Sequence, residues 1–158
     1  MNSVPEGSLR KPVHFLALGF GSGTAPFAPG TFGTLAAIPI FLILGQLSLQ
    51  TYLISLLIIS ITGIWICGKT AHDWGIHDHP AIVWDEFAGF LVTMIAAPME
   101  WKWIVIGFLL FRLFDIWKPY PIKMLDTEVS GGFGIMVDDI VAGLYALIIL
   151  QLLIYYLA

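Results

Sequence analysis

The chain has 158 residues, of which 58% are hydrophobic and 11% charged, with a mean hydropathy of +0.89. This composition lies far outside that of soluble domains and predicts one membrane domain over residues 1–158. The net charge of −4 comes without a Lys/Arg cluster, which argues against a nucleic-acid partner. The single cysteine, Cys67, excludes a disulfide framework and is interpreted as a small packing residue.

The N-terminal part contains no long apolar run. Residues 1–9 are expected to form a mobile tail, and residues 10–18 a short helix along the lipid headgroups. Residues 19–33, GFGSGTAPFAPGTFG, predict an ordered loop because glycine and proline disfavour regular helices and strands.

Two apolar segments follow. Residues 35–49 predict the first membrane helix, with Thr34 as its N-cap. The linker at residues 48–51 is short, so the next helix, residues 52–68, is expected to pack antiparallel beside the first as a hairpin. Residues 69–81 are polar and predict a solvent-facing loop.

The second half of the chain contains three more apolar runs. Residues 87–98 would span about 18 Å against a hydrocarbon core of roughly 30 Å, so this run can cross only if its helix starts near Ile82. Residues 103–117 are expected to lead the chain back across the membrane. Residues 118–134 form a polar loop, and residues 140–158 are long enough to cross the membrane. The pattern predicts an all-α, multi-pass membrane bundle of four to five apolar segments, with glycine-rich loops on one face.

The basic residues predict the orientation of the bundle. Six of the seven Lys and Arg residues fall on one side of the alternating layout, and only Lys102 falls on the other. By the positive-inside rule the basic side faces the cytoplasm. The same side contains every histidine and nearly every carboxylate, as an enzyme that acts on lipid headgroups requires.

Paired carboxylates stand at the mouths of two apolar segments. Asp85 and Glu86 precede the third segment, and Asp138 and Asp139 precede the last. Charges beside apolar helices must meet one another or a cation, and carboxylate oxygens suit Mg²⁺. Each pair is followed by a glycine at the helical spacing that permits close approach of two helices. The alternative is that these acids only cap helices.

Three further groups carry weaker signals. Arg112 and Asp115 share a helix face and form either an ion pair or a clamp for a phosphate oxygen. The glycine-rich loop could cradle a phosphate with its N–H groups or simply form tight turns. The residues considered for headgroup binding there are Gly21, Ser22, Gly23, Thr24 and Thr31. The histidines around Asp78 could ligate zinc, although a solvated loop is favoured.

Four stretches, GFGSGTAPFAPGTFGTLAAIP, IHDHPAIVWDEFAG, FRLFDIWKPYPI and GGFGIMVDDIVAG, occur in the order found in one known family. Across residues 11–145 the chain resembles the bacterial phosphatidylglycerophosphatase A family. The resemblance implies a Mg²⁺-dependent, multi-pass phosphatase of the bacterial inner membrane that converts phosphatidylglycerophosphate to phosphatidylglycerol. The site residues that it implies are Asp85, Glu86, Arg112, Asp115, Lys118, Asp138 and Asp139.

Within this interpretation Asp85, Glu86, Asp138 and Asp139 are expected to bind metal, while Arg112 and Lys118 bind the phosphate. A metal-activated water is the expected nucleophile, with a covalent phosphoaspartate as an alternative. The number of metal ions and the oligomeric state are left open. The rival hypothesis from another class is a small cation transporter or channel with an acid-lined path.

Overall fold

The computed structural model describes residues 3–157, and in this part of the chain every regular element is a helix, with no strands. The seven α-helices are α1 Pro12–Ala17, α2 Pro29–Leu44, α3 Leu49–Trp74, α4 Trp84–Thr93, α5 Trp101–Trp117, α6 Ile122–Glu128 and α7 Gly131–Leu157. Two short 3₁₀ helices, Ser8–Arg10 and Ser22–Thr24, lie in the N-terminal part. The all-α prediction is confirmed for these residues.

Helices α3 and α7 have 26 and 27 residues and are apolar enough to cross a membrane. At 1.5 Å per residue they are about 40 Å long, more than the roughly 30 Å of a hydrocarbon core. Only 28% of the most apolar stretch of α3 and 22% of that of α7 are buried within the protein. A core helix of a soluble domain would be mostly buried. The exposed leucine and isoleucine side chains therefore indicate association with a membrane.

Helix α4 lies at the centre of the bundle. All ten of its residues are buried, and it packs most extensively against α7, with α2 and α3 on its other sides. With ten residues it spans about 15 Å, half of a hydrocarbon core. The helix begins two residues after the expected start near Ile82 and ends at Thr93, well before residue 98, so it is too short to cross.

Because α4 ends inside the bundle, its last carbonyl groups need partners. The Tyr52 hydroxyl donates to the Leu91 carbonyl oxygen at 2.6 Å. The Gln151 amide donates to the Ile95 carbonyl oxygen at 2.7 Å, just beyond the helix. These two side chains from α3 and α7 allow a short helix to stop in an apolar environment.

Several predicted boundaries in the first half need correction. Helix α2 starts at Pro29, inside the predicted loop, because proline suits the first helical position. Thr34 is not its N-cap, since its hydroxyl donates to the Gly30 carbonyl oxygen within the helix. Helix α2 contacts α4 far more than α3, so the predicted hairpin packing is wrong. Helix α3 continues to Trp74 through half of the predicted polar loop and ends at the left-handed Gly75.

The remaining corrections concern both ends of the chain. Helix α6 lies within the loop predicted at residues 118–134, and α7 begins nine residues before the predicted span. The short N-terminal helix is confirmed as α1. The predicted tail includes the 3₁₀ helix Ser8–Arg10, in which Ser8 is buried, while Met1 and Asn2 lie outside the described residues.

Candidate active site

A pocket of about 260 Å³ opens at the end of the bundle where α2 and α4 begin and α5 ends. It contains six carboxylates, of Asp78, Asp85, Glu86, Asp115, Asp138 and Asp139. Two cations, Arg112 and Lys118, also line it. With all groups ionised, the pocket would carry an excess of four negative charges, an arrangement that calls for a bound cation. We call this cavity the acidic pocket.

Three carboxylates form the centre of the acidic pocket. One oxygen each from Asp85, Glu86 and Asp139 lies within 4.8 Å of the other two. All three residues are at least nine-tenths buried. Glu86 Oε2 and Asp139 Oδ2 have no hydrogen-bond partner among the described residues. Buried carboxylate oxygens without partners are strongly disfavoured, so this trio has the chemistry and the unmet need of a divalent cation site.

Two glycines bring the trio together. A Cβ atom on Gly143 of α7 would lie 2.4 Å from the Gly89 carbonyl oxygen of α4, and one on Gly89 would lie 2.7 Å from the Asp139 carbonyl oxygen. The Thr93 hydroxyl lies 3.0 Å from the Gly89 carbonyl oxygen, at the same contact. The predicted close approach of the two helices is therefore confirmed, because only glycine fits at this distance.

The acids do not all lie at helix mouths. Asp85 and Glu86 are in the first turn of α4, as predicted. Asp138 and Asp139 lie about two turns inside α7, because this helix starts at Gly131. Capping of a helix end therefore cannot explain the second pair.

Arg112 of α5 connects the trio to Asp115. Its Nη1 donates a hydrogen bond to Asp115 Oδ2, and it lies 3.5 Å from Glu86 Oε1. The start of α2 packs over this group, since a Cβ atom on Gly30 would lie 2.1 Å from Glu86 Oε1. Arg112 Nε is buried and has no partner among the described residues. The guanidinium is thus oriented by two carboxylates at the wall of the acidic pocket.

Lys118 stands immediately after α5 in a left-handed conformation, with φ of 46°. Its Nζ lies 2.8 Å from Asp138 Oδ2 and 2.8 Å from Asp126 Oδ1. Partial burial lowers the pKa of the Lys118 ammonium, but the hydrogen bonds that it donates to Asp126 and Asp138 outweigh this effect and raise the pKa above its ordinary value. Lys118 is therefore a fixed positive charge, and Asp138 pairs with it rather than joining the trio.

Two acids of the site were missed from the sequence. Asp78 lines the acidic pocket from the loop before α4, and loss of surrounding water raises the pKa of its carboxyl, an effect that the charge of Lys118 opposes. Asp126 reaches Lys118 from α6, a helix that was not predicted. The one available signal for Asp78 was its position seven residues before Asp85 in a loop rich in ionisable residues.

The glycine-rich loop lies elsewhere. Its predicted headgroup-binding residues, Gly21, Ser22, Gly23, Thr24 and Thr31, do not line the acidic pocket. The Ser22 hydroxyl donates to the Gly19 carbonyl oxygen, and the Thr24 hydroxyl to the Gly21 carbonyl oxygen. The N–H groups of residues 21–25 are likewise bonded to carbonyls of the same segment. Phosphate binding by this loop stays a prediction.

The histidine-containing loop is held firmly against the bundle. His77 Nε2 accepts a hydrogen bond from the Gly131 N–H at 3.1 Å. His79 is buried against the Trp74 ring, so the expectation of a fully solvated loop is wrong for this residue. Cys67 is fully buried, as expected of a packing residue.

Comparisons with known proteins identify the family of the chain. The family model of phosphatidylglycerophosphatase A matches residues 15–154. Phosphatidylglycerophosphatase A of Escherichia coli (strain K12) is 48% identical over 136 residues, which cover 85% of this chain and 79% of the relative. Phosphatidylglycerophosphatase A of Haemophilus influenzae (strain Rd) is 43% identical over 158 residues, which cover 99% of this chain and 97% of the relative.

A more distant relative carries a different name. A protein of Bacteroides thetaiotaomicron provisionally named phosphatidylinositol-3-phosphatase is 38% identical over 143 residues, covering 85% of this chain and 89% of the relative. No solved structure matches the chain. The family model spans most of the sequence. The first two relatives carry the family's name and are 48% and 43% identical to this chain over the aligned residues. The chain therefore belongs to the phosphatidylglycerophosphatase A family.

Proposed function

We propose that this protein hydrolyses the terminal phosphate of phosphatidylglycerophosphate to give phosphatidylglycerol and phosphate, with Mg²⁺ as cofactor. The observation that carries the proposal is the buried trio of Asp85, Glu86 and Asp139 beside Arg112, at the end of an apolar bundle. The family membership supports the substrate.

Mg²⁺ suits the trio because it prefers carboxylate oxygens and retains open positions for water and phosphate. Glu86 Oε2 and Asp139 Oδ2, which lack partners, would be satisfied by such an ion. When bound, the ion would neutralise phosphate charge and favour ionisation of water. Asp138 was also predicted as a ligand, but its bond to Lys118 favours a role in holding that cation.

The protein's own side chains can perform the remaining tasks. Arg112 binds an oxygen of the phosphate while Asp115 keeps its guanidinium in place. Lys118 adds a second positive charge at the pocket wall, positioned by Asp138. A carboxylate of the trio accepts the proton of the attacking water as the new P–O bond forms. The bond from phosphorus to the glycerol oxygen breaks, and this oxygen takes a proton from solvent.

The fold supports a location within a bilayer. We propose that α2, α3, α5 and α7 cross the membrane and that α4 stays enclosed by them. Helices α2 and α5 have 16 and 17 residues, about 25 Å, which requires slight local thinning of the bilayer. The Lys/Arg distribution supports placing the acidic pocket at the cytoplasmic face of the inner membrane.

The transporter alternative finds no support. A path for ions requires polar groups near the middle of several spans. Helix α2 contains no charged residue, and the charged side chains of α5 and α7 near the pocket all lie toward one end. The acidic pocket is therefore a chamber at one end of the bundle rather than part of a channel.

The decisive experiment is phosphate release by the purified protein in mixed micelles containing phosphatidylglycerophosphate. We expect turnover with Mg²⁺, none in excess EDTA, and recovery when Mg²⁺ is restored. Phosphatidic acid and phosphatidylinositol 3-phosphate serve as comparison substrates in the same micelles. Full turnover in EDTA would refute the metal assignment, and faster release from either comparison lipid would refute the substrate assignment.

A further inference from the structure

An apolar groove of about 480 Å³ lies directly beside the acidic pocket. Its walls are the glycine-rich loop, the turn before α4, and residues 3 and 4 of the N-terminal segment. Its lining residues are Ser3, Val4, Gly23, Thr24, Ala25, Pro26, Phe27, Ala28, Pro29, His79, Pro80 and Ala81. None of these carries a carboxylate, an ammonium or a guanidinium, so the groove contrasts sharply with the acidic pocket.

The two cavities adjoin each other. Ala28, Pro29 and Pro80 line both of them. A molecule with a phosphate in the acidic pocket can therefore extend past these three residues into the groove. At about 260 Å³ the acidic pocket lies below the roughly 300–1,000 Å³ of typical ligand sites, whereas the groove falls within that range. The acidic pocket alone is too small for a whole lipid.

The groove has a firm wall and an apolar rim. A Cβ atom on Gly23 would lie 2.0 Å from the Ala81 carbonyl oxygen, so the two loops are pressed together. Phe27 is 67% exposed at the rim, and its ring meets that of Phe32 edge to face at 5.5 Å. An exposed aromatic pair beside an apolar groove is typical of a surface that contacts lipid.

The hydrogen bonds of the glycine-rich loop also favour an apolar occupant. The Thr24 hydroxyl and the N–H groups of residues 21–25 all donate to carbonyl oxygens within the same segment. Donors already in use are less available to a phosphate than free ones. The loop instead lines the groove with the apolar side chains of Ala25, Pro26 and Phe27.

We propose that the groove binds the glycerol backbone and the first acyl carbons of the lipid whose terminal phosphate enters the acidic pocket. This inference rests on the proposed function. The phosphodiester between the two halves of the lipid lies near the shared residues, where the groove is open to water. Anchoring the apolar half in the groove holds the phosphate in the acidic pocket.

The first test is Ala25→Trp, which fills the groove from a half-buried position. The measurement is kcat/KM for dipalmitoyl and dibutyryl phosphatidylglycerophosphate in the same micelles. We expect the preference of the parent protein for the long-chain lipid to fall about tenfold, because the variant loses burial of acyl carbons. Ile43→Trp adds the same ring to an exposed position at the far end of α2 and should keep the parent's preference.

A second test does not depend on activity. Thr24→Cys places an exposed thiol in the groove, and the native Cys67 is buried and unreactive. We expect phosphatidylglycerol, which lacks the terminal phosphate, to slow labelling of this thiol by a maleimide at least about fivefold. Inorganic phosphate should give no protection.

The outcomes separate this inference from the proposed function. If the parent protein releases no phosphate from phosphatidylglycerophosphate, the proposed function fails, while lipid protection of the thiol still reports on the groove. An unchanged chain-length preference in Ala25→Trp, with folding verified by its melting temperature, would overturn the inference. Protection by inorganic phosphate instead of phosphatidylglycerol would overturn it as well and assign the loop to phosphate binding.

Discussion

The two ends of this bundle are both built from α2, α3, α5 and α7, yet their polar groups are arranged differently. At one end six carboxylates and two cations line a pocket, and two carboxylate oxygens within it have no partner. At the other end Glu100 and Lys102 form an exposed ion pair at 3.1 Å. Toward that end the carbonyl oxygens of Leu91 in α4 and of Ile95 just beyond it accept hydrogen bonds from Tyr52 and Gln151.

This difference distinguishes buried polar groups that stabilise the fold from those that are available to a ligand. Folding favours matched buried groups, such as the carbonyl oxygens of Leu91 and Ile95. Unmatched, like-charged groups lower stability and are retained where a ligand completes them. The acidic carboxylates are therefore expected to lower the stability of the fold and to serve catalysis. Substitutions in the acidic pocket should change activity, whereas substitutions at the opposite end should not.

The largest contrast is expected for Asp139→Asn against Glu100→Gln. Loss of one charge from the trio should lower turnover at least about a hundredfold, or roughly 2.7 kcal/mol of transition-state stabilisation. The melting temperature of Asp139→Asn should stay close to that of the parent, since one of several repelling charges is removed. Glu100→Gln should leave both quantities unchanged. Retention of more than about a third of the turnover by Asp139→Asn would contradict the proposed role of the trio.

A smaller effect is expected for Arg112→Lys. Lysine keeps the charge but cannot contact Asp115, Glu86 and a phosphate with one planar fork. We expect kcat/KM to fall about tenfold, a loss of roughly 1.4 kcal/mol. Lys102→Arg at the opposite end is the matched control and should behave like the parent. Equal kinetics for the two variants would show that Arg112 serves only as an ion-pair partner.

The contact between α4 and α7 can be weakened without changing charge. In Gly143→Ala the new Cβ meets the Gly89 carbonyl oxygen at 2.4 Å, and backbone cannot yield easily. We expect a loss of about 1–3 kcal/mol in the free energy of unfolding, together with lower activity because Asp139 is displaced. In Gly107→Ala the Cβ also meets an atom at 2.4 Å, the Sδ of Met94, but this side chain is flexible. The two melting temperatures in detergent provide the comparison, and equal shifts would contradict the role of the close contact.

The last comparison concerns which end of the bundle faces the cytoplasm. The two substitutions that it uses should leave activity unchanged. Lys69→Cys and Lys102→Cys place thiols at opposite ends, at positions with side chains 48% and 44% exposed. In intact spheroplasts an impermeant maleimide should label only Lys102→Cys, and in inverted vesicles only Lys69→Cys. The reverse pattern would place the acidic pocket outside the cytoplasm.

Part of the candidate site could be predicted from the sequence, because its residue types are unusual beside apolar segments. Charged residues beside apolar segments are rare enough that Asp85, Glu86, Arg112, Asp115 and the Asp138–Asp139 pair stood out, and the structure brings them to one pocket. Gly89 and Gly143 were also recognisable, because small residues at helical spacing permit close packing. The catalytic roles of the charged residues remain predictions that the substitutions above will test.

Other features depended on contacts distant in sequence. Asp126 carries no local signal that distinguishes it from a surface acid, and Asp78 carries only a weak one. Only the folded chain brings Asp78 to the acidic pocket and Asp126 to Lys118. The separation of Asp138, paired with Lys118, from Asp139, in the trio, follows from the rotation of α7 against its neighbours. Adjacent residues on a helix point about 100° apart, so the sequence could not tell which acid faces which partner.

The sequence by itself determined that the chain is helical, apolar, and polar at one end, because composition and the 3.6-residue period act locally. The tertiary structure alone decided that α4 is a short enclosed helix and that the glycine-rich loop borders an apolar groove. The first depends on distant groups, since Tyr52 and Gln151 donate to the carbonyl oxygens of Leu91 and Ile95. The second depends on the packing of Gly23 against Ala81, which lies far from the loop in sequence. Hydrogen bonds between residues far apart in the chain leave no periodic trace in a sequence, and so only the folded protein reveals them.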